Sequence, residues 1–109
     1  MSPPSRREKI QAMLLDDPTD TFLRYSLALE LDKEGRNDES LDVFRGLMGD
    51  SPPYVPAFFM AAQQLARLYR IDDSRAVLRD GIEHARAAGD AHAAGEMSEF
   101  LASLGALGE

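Results

Sequence analysis

The feature that most constrains this chain of 109 residues is that its sequence repeats itself at a fixed offset. The dipeptide Asp17-Pro18 recurs 34 positions later as Ser51-Pro52, and the apolar pattern repeats at the same offset without gaps from residue 6 to about residue 84. A period of about 34 residues is typical of stacked-repeat proteins, in which each unit contacts its neighbours and together they form a continuous core. The sequence therefore predicts a linear stack of repeats and not a globule with one central core.

The first half of each period predicts a helix. In the first repeat this helix runs from about Asp20 to Glu34, and Thr19 or Asp20 can cap its start because free backbone N–H groups there need an acceptor. Gly35 stands just past its end, where a left-handed backbone favours glycine. Its inner face is formed by residues that recur at helical spacing, Leu23, Leu27, Ala28 and Leu31.

The second half of each period predicts another helix, which starts after Asn37 or Asp38 in the first repeat. Either side chain can cap that start, and Gly49 and Pro52 are expected to end the helix. Its inner face is Leu41, Phe44, Leu47 and Met48.

The next pair of helices spans about Val55 to Tyr69 and Asp73 to Ala88, with Ala76 or Val77, Leu78 and Ile82 facing in. Gly81 lies in the middle of a helix, where glycine costs about 1 kcal/mol relative to alanine. A close helix crossing with no room for a side chain is the expected compensation, whereas Gly46 is expected to be less constrained. The last helix, about Asp90 to Leu104, places Met97, Phe100, Leu101 and Leu104 on one face.

The predicted fold class is all-α: an α-solenoid of helix–turn–helix repeats, about six helices in total, with a C-terminal capping helix. A single domain covers residues 1–109. It is divided into an unpaired first helix at 6–16, a first repeat at 19–50, a second repeat at 53–88 and the capping helix at 90–104.

The residues at the repeat positions resemble the tetratricopeptide repeat, with its W-x2-L-G-x2-Y, A-x3-F and P positions. The first repeat reads Arg24-x2-Leu27-Ala28-x2-Leu31, then Ser40-x3-Phe44, then Pro52. The second reads Phe58-x2-Ala61-Ala62-x2-Leu65, then Ser74-x3-Leu78. The chain is thus identified as a small, bacterial-type member of this family. It departs from the pattern where Arg24 replaces the large aromatic, Tyr69 stands at the position of Gly35, and Arg86 replaces the closing proline.

The resemblance implies a protein-interaction module or adaptor that binds a peptide or helix of a partner protein in a concave groove. In the family, the first helix of each repeat lines this groove. The partner-binding residues that it implies here are Phe22, Tyr25, Leu29, Lys33, Phe59, Gln63 and Arg67. Packing of these rings on the first helix or the cap is an equally weighted interpretation. A homo-oligomerising helical protein without a peptide ligand, such as a homodimer, is the alternative function.

Charge and composition exclude other functions. The net charge of −7 disfavours nucleic-acid binding, and no stretch is apolar enough for a membrane span or the core of a signal peptide. We therefore expect a cytoplasmic protein that has no membrane partner. A stripe of Arg75, Arg79 and Arg86 could be a docking strip for an acidic partner, although a solvated helix face is the simpler interpretation.

The chain is not expected to be an enzyme and needs no cofactor. No glycine-rich phosphate loop occurs, and Ser40 and Ser74 fill small-residue repeat positions, so no catalytic residue is assigned. His84 and His92 are the only histidines, and His92 lies four residues before Glu96. A small metal-dependent activity at His84 and His92 is a remote alternative, because a zinc site needs three or four ligands. No metal site is predicted.

Overall fold

The computed structural model of the chain describes residues 2–105. Over this range it contains six α-helices and no β-strand, which confirms the all-α repeat fold. The helices are α1 (Arg6–Asp16), α2 (Thr21–Lys33), α3 (Asn37–Met48), α4 (Val55–Arg67), α5 (Ile71–Ala87) and α6 (Ala91–Gly105).

The helices group into two compact units, an N-terminal unit that ends at Asp50 and a C-terminal unit that begins at Ser51. In the N-terminal unit, α1 packs against α2, and α2 packs against α3. In the C-terminal unit, α5 packs against both α4 and α6, and α4 also touches α6. The boundary coincides with the predicted end of the first repeat at residue 50. The assignment of residues 1–109 to a single domain stays a prediction.

The turn between the two helices of each repeat has the same closing hydrogen bonds. The backbone N–H of Arg36 donates to the carbonyl oxygen of Leu31 at 2.9 Å, and at the equivalent position of the second repeat the N–H of Arg70 donates to that of Leu65 at 2.9 Å. A bond that reaches back over this turn requires a left-handed residue just after the helix. In the first repeat that residue is Gly35, as predicted, with a φ of 75°.

In the second repeat the left-handed residue of this turn is Tyr69, with a φ of 60°. This conformation costs an L-residue with a Cβ atom about 1–2 kcal/mol, because the Cβ crowds the following carbonyl oxygen. The side chain of Tyr69 is 90% exposed, so little burial offsets that cost. The left-handed turn also ends α4 at Arg67, two residues before the predicted end.

Side-chain hydrogen bonds cap the starts of α1, α2 and α6. At α1 the hydroxyl of Ser5 accepts the N–H of Glu8 at 3.1 Å and the carboxylate of Glu8 accepts the N–H of Ser5 at 3.1 Å, which together form a capping box. Asp20, and not Thr19, caps α2 by accepting the N–H of Leu23 at 2.8 Å. Asp90 accepts the N–H of Ala93 at 3.0 Å at the start of α6.

The predicted cap of α3 is wrong. The helix begins at Asn37 with Arg36 as the N-cap residue, and no side chain accepts a hydrogen bond there. The reason is that Arg36 completes the closing turn by donating to Leu31, and the helix begins at the next residue. Asn37 and Asp38 therefore already lie within the helix. Arg36 instead pairs with Glu39 one turn into α3, at 2.9 Å. By the same geometry α5 begins at Ile71, two residues before the predicted start at Asp73.

A buried serine hydroxyl joins the two helices of each repeat. The Oγ of Ser40 donates to the carbonyl oxygen of Ala28 at 2.7 Å, and the Oγ of Ser74 donates to that of Ala62 at 2.7 Å. All four residues are buried. Because a serine or alanine lets two backbones approach, and a larger side chain would separate them, these small residues fix the contact between the paired helices.

The predicted inner faces are buried to different degrees. Ala28, Leu31, Leu41, Phe44 and Leu47 are fully buried in the N-terminal unit, whereas Leu23, Leu27 and Met48 are half-buried. In the C-terminal unit the fully buried ones are Leu78, Ile82, Met97 and Leu104; Val77, Phe100 and Leu101 are half-buried, and Ala76 is exposed.

Gly81 lies at a close helix crossing, as predicted. A Cβ atom built on Gly81 would lie 2.6 Å from the Cβ of Phe58 in α4 and 2.7 Å from the Sδ of Met97 in α6. A Cβ on Gly46 of α3 would meet only the Nη2 of Arg24, at 3.2 Å. The absence of a side chain at Gly81 therefore lets α5 pack closely against both of its neighbours.

Candidate functional site

The residues predicted to bind a partner lie on the first helix of each repeat. Phe22, Tyr25, Leu29 and Lys33 share one side of α2 because their spacings of three and four residues follow the helical period. The cap at Asp20 fixes where this helix begins.

The four α2 residues differ in how far they are buried and packed against the rest of the fold. Phe22 is 70% exposed, although it is a large apolar residue. The ring of Tyr25 packs edge-on against that of Phe44, with ring centroids 6.1 Å apart, and Leu29 is half-buried. Lys33 is exposed and its Nζ lies 3.4 Å from a carboxylate oxygen of Glu30. Tyr25 is thus partly committed to the core, whereas Phe22 and Lys33 remain accessible.

In α4 the predicted residues border a cavity of about 310 Å³ within the C-terminal unit. Gln63 and Arg67 lie on its α4 side together with Ala66, and Phe100, Ser103 and Leu104 of α6 complete the lining. The lining is thus mostly apolar, and its polar groups come from Gln63, Arg67 and Ser103. A cavity with this mixture can take an apolar side chain and orient it by hydrogen bonds.

Phe59 takes part in packing more than the sequence alone indicates. Its ring meets that of Phe100 edge-on at a centroid distance of 5.8 Å, and Phe59 is half-buried. The repeat pattern does not assign Phe100, Ser103 or Leu104 to the site. The signal that could have found them is the apolar face of α6, which by its spacing alone indicates core.

Arg24 explains one departure from the repeat pattern. Its guanidinium donates to both carboxylate oxygens of Asp50, at 2.6 and 3.3 Å, and its side chain is 21% exposed. The corresponding residue of the second repeat, Phe58, is buried over Gly81. Each of these two large side chains therefore covers a helical glycine, Gly46 under Arg24 and Gly81 under Phe58. At Arg24 a bidentate ion pair takes the place of aromatic packing.

Arg75 does not contribute to a basic docking strip. Its side chain is only 16% exposed and pairs with Asp72 at 3.0 Å. Its Nη2 also donates to the backbone carbonyl oxygen of Leu104 at 2.7 Å. Because carbonyl groups in the last turn of a helix lack intrahelical partners, Arg75 stabilises the end of α6. The stripe of Arg75, Arg79 and Arg86 is thus interrupted at its first member.

The two histidines have local partners in the structure. The ring of His84 stacks on that of Phe58 with centroids 5.4 Å apart, and His92 lies 3.1 Å from a carboxylate oxygen of Glu96. Within residues 2–105, no three histidine or acidic side chains come together in a group that could hold a metal ion. No helix in that same range is long and apolar enough to cross a membrane.

The fold and the paired turns define the class of this protein: it is an α-helical repeat protein built from helix–turn–helix units that recur at a fixed period. It is similar to a tetratricopeptide repeat domain protein from Salinibacter ruber, solved in solution by NMR, with 32% sequence identity and a TM-score of 0.75. That match covers 81% of this chain and 89% of the other. The chain belongs to the tetratricopeptide repeat family.

A second solved structure agrees on the fold. A protein from Bordetella parapertussis has a TM-score of 0.80 at 22% identity, over 94% of this chain and 90% of the other. At that identity the likeness shows the fold alone. No protein-family model and no curated protein sequence matches the chain.

Proposed function

We propose that this protein is a non-enzymatic interaction module, or adaptor, that binds a peptide or helix of a partner protein through the first-helix faces of α2 and α4. The observation that carries the proposal is the exposure of Phe22: a phenylalanine that is 70% exposed contributes little to folding, yet it lies on the side of α2 that the family uses for recognition. Aromatic anchors of this kind commonly supply much of the affinity of an interface.

The C-terminal unit supports the same proposal independently. Its cavity is lined by Gln63 and Arg67 among mostly apolar residues, and an apolar side chain of a partner is the occupant that such a lining favours. Lys33 and Arg67 are both exposed cations on the first-helix faces, which favours a partner segment that combines apolar and acidic residues.

The experiment is affinity capture of partners from an extract of the native cells, with the full chain immobilised and the bound proteins identified by mass spectrometry. Phe22→Ala removes the exposed anchor without opening the core. Leu15→Ala is the matched control because Leu15 is 84% exposed but lies on α1, away from the proposed face. We expect the Phe22 variant to lose partners that the wild type and the Leu15 variant retain.

A second variant tests the cavity. Ala66→Leu places a larger apolar side chain in the lining of the cavity and keeps a good helix former in α4. Both Phe22→Ala and Ala66→Leu are first checked for an unchanged thermal transition. Identical sets of captured proteins for the wild type, Phe22→Ala and Ala66→Leu would refute the proposed function. Tyr25 and Phe59 are poorer choices, because their rings also pack on Phe44 and Phe100.

A further inference from the structure

The repeat leaves one side of α1 uncovered. Shifted by one period, Arg6 and Met13 of α1 correspond to Ser40 and Leu47 of α3, both of which are completely buried. Ser40 is the residue that bonds to α2, the first helix of its own repeat. On α1 the same positions are exposed: the side chain of Arg6 is 75% exposed and Met13 is 50% exposed.

Lys9 extends this side of α1. It corresponds to Val43, which is half-buried on α3, whereas Lys9 is exposed. Arg6, Lys9 and Met13 follow one another at spacings of three and four residues and therefore form one strip, here called the open strip. It consists of one apolar side chain and two cations. The Nε of Arg6 already contacts Glu30 at 2.9 Å.

The uncovered side of α6 has the opposite character. Gly95, Glu99 and Ala102 are exposed and lie at spacings of four and three residues, and are here called the acidic face. A Cβ built on Gly95 would meet nothing within 4 Å, so another helix can approach closely there. From Asp90 to Gly105 the chain holds three acidic residues and neither lysine nor arginine.

These two surfaces are complementary in charge. The open strip offers an exposed methionine beside cations, and the acidic face offers a carboxylate beside a glycine and an alanine, whose small size leaves room for the methionine. The two helices also correspond to the two different helices of a repeat. The helix α1 corresponds to the second helix, and α6, which is capped by an aspartate as α2 is, corresponds to the first.

We propose that a second copy of this chain is the occupant of the open strip, and that it docks there through the acidic face of its α6. The contact unites a first-type helix from one molecule with a second-type helix from the next. Because the two surfaces are different, the contact is heterologous: the open strip of one molecule meets the acidic face of another. Contacts of this kind either close into a ring of identical molecules or continue as an open chain, and in both cases the associated fraction grows as the concentration rises.

The test is sedimentation equilibrium of the full chain between about 10 μM and about 1 mM, the range in which weak self-association is measurable. We expect the average mass to rise above that of the monomer as the concentration increases, and the association to weaken in salt, because exposed charges are screened. A monomer at the highest concentration, or an association that salt leaves unchanged, would overturn the proposal.

Charge-reversing substitutions test whether the open strip and the acidic face are the surfaces in contact. Lys9→Glu and Glu99→Lys each put like charges in contact, and each is expected to weaken association by about fivefold or more. Glu83→Lys is the control for Glu99→Lys, because Glu83 is exposed on α5 and the change in net charge is the same. It should leave association unchanged.

Mixing the two reversed proteins provides the decisive measurement. In a mixture, the altered strip of a Lys9→Glu molecule can meet the altered face of a Glu99→Lys molecule, and this contact again joins opposite charges. An equimolar mixture should therefore recover the association that each protein has lost alone. Failure of the mixture to recover it, or an equal loss in the Glu83→Lys control, would contradict docking between the open strip and the acidic face. None of these substitutions touches the proposed partner-binding residues, so this result is independent of partner capture.

Discussion

Replacing Gly81 with alanine is expected to destabilise this protein, although alanine is the better helix former. The new Cβ would lie 2.6 Å from the Cβ of Phe58, and ordinary carbon contacts begin at about 3.5 Å. The Cβ of Phe58 is fixed to the backbone of α4, so a rotamer change cannot remove the overlap. Met97 is the other close neighbour, at 2.7 Å, and only 1% of it is exposed.

The magnitude follows from two opposing terms. Overpacking a well-packed site costs about 1–3 kcal/mol, and an overlap of this size places Gly81→Ala near the upper end. The gain in helix propensity is about 1 kcal/mol. The expected net loss is therefore about 1–2 kcal/mol of the free energy of unfolding.

Gly95→Ala is the matched control. Gly95 lies in the middle of α6 with nothing within 4 Å of its Cβ position, so only the propensity gain of about 1 kcal/mol applies. Urea denaturation of dilute protein, monitored by circular dichroism, should separate the free energies of unfolding of the two variants by about 2–3 kcal/mol. Thermal denaturation should separate their melting temperatures by roughly 10 °C for a chain of this size. Equal stability of the two variants would show that the crossing of α4, α5 and α6 is looser than described, and the packing argument would fail.

Three further outcomes are expected. Tyr69→Gly should stabilise the protein by about 0.5–1 kcal/mol, because glycine adopts the left-handed conformation without strain; a lower melting temperature would mean that the exposed ring contributes packing. Arg75→Ala should lower the free energy of unfolding by about 1–2 kcal/mol, because it removes a charged donor from the carbonyl group of Leu104, and hydrogen exchange should quicken first in the last turn of α6; uniform exchange along α6 would argue against this cap. The backbone N–H of Ser5 lowers the pKa of Glu8, so the contribution of this capping box is present above the ordinary pKa of glutamate and is lost as the pH falls through the lowered pKa. Acid titration should therefore reduce the helicity of α1 less in Glu8→Gln than in the wild type, and equal losses would contradict the assignment.

The fixed period of the sequence predicts most of the fold. It is informative because helix spacing, the left-handed turn and the small residues at helix contacts all recur in one register, and each of these signals is local in the sequence. Gly35 and Gly81 are predicted correctly because glycine has few other physical reasons to occupy those positions.

What the sequence leaves open depends on contacts between distant residues. Phe22, Tyr25 and Phe59 have similar side chains, and only the structure shows that Tyr25 and Phe59 meet rings of other helices while Phe22 is mostly exposed. In the sequence Arg75 looks like one cation of a surface stripe, because its bond to the distant carbonyl group of Leu104 leaves no trace in composition or spacing.

The polar contacts of the first repeat, which include the bond from the hydroxyl of Ser40, have a consequence for how a chain of this kind can change its length. Within residues 20–53 lie the capping aspartate, the closing turn, the bond from Ser40 to Ala28 and the ion pair from Arg24 to Asp50. A segment that contains both partners of each of these polar contacts can be duplicated in tandem without leaving any of those groups unsatisfied. Growth by whole repeats therefore keeps every one of these contacts, whereas an insertion of another length within α2 or α3 would shift donors away from their acceptors.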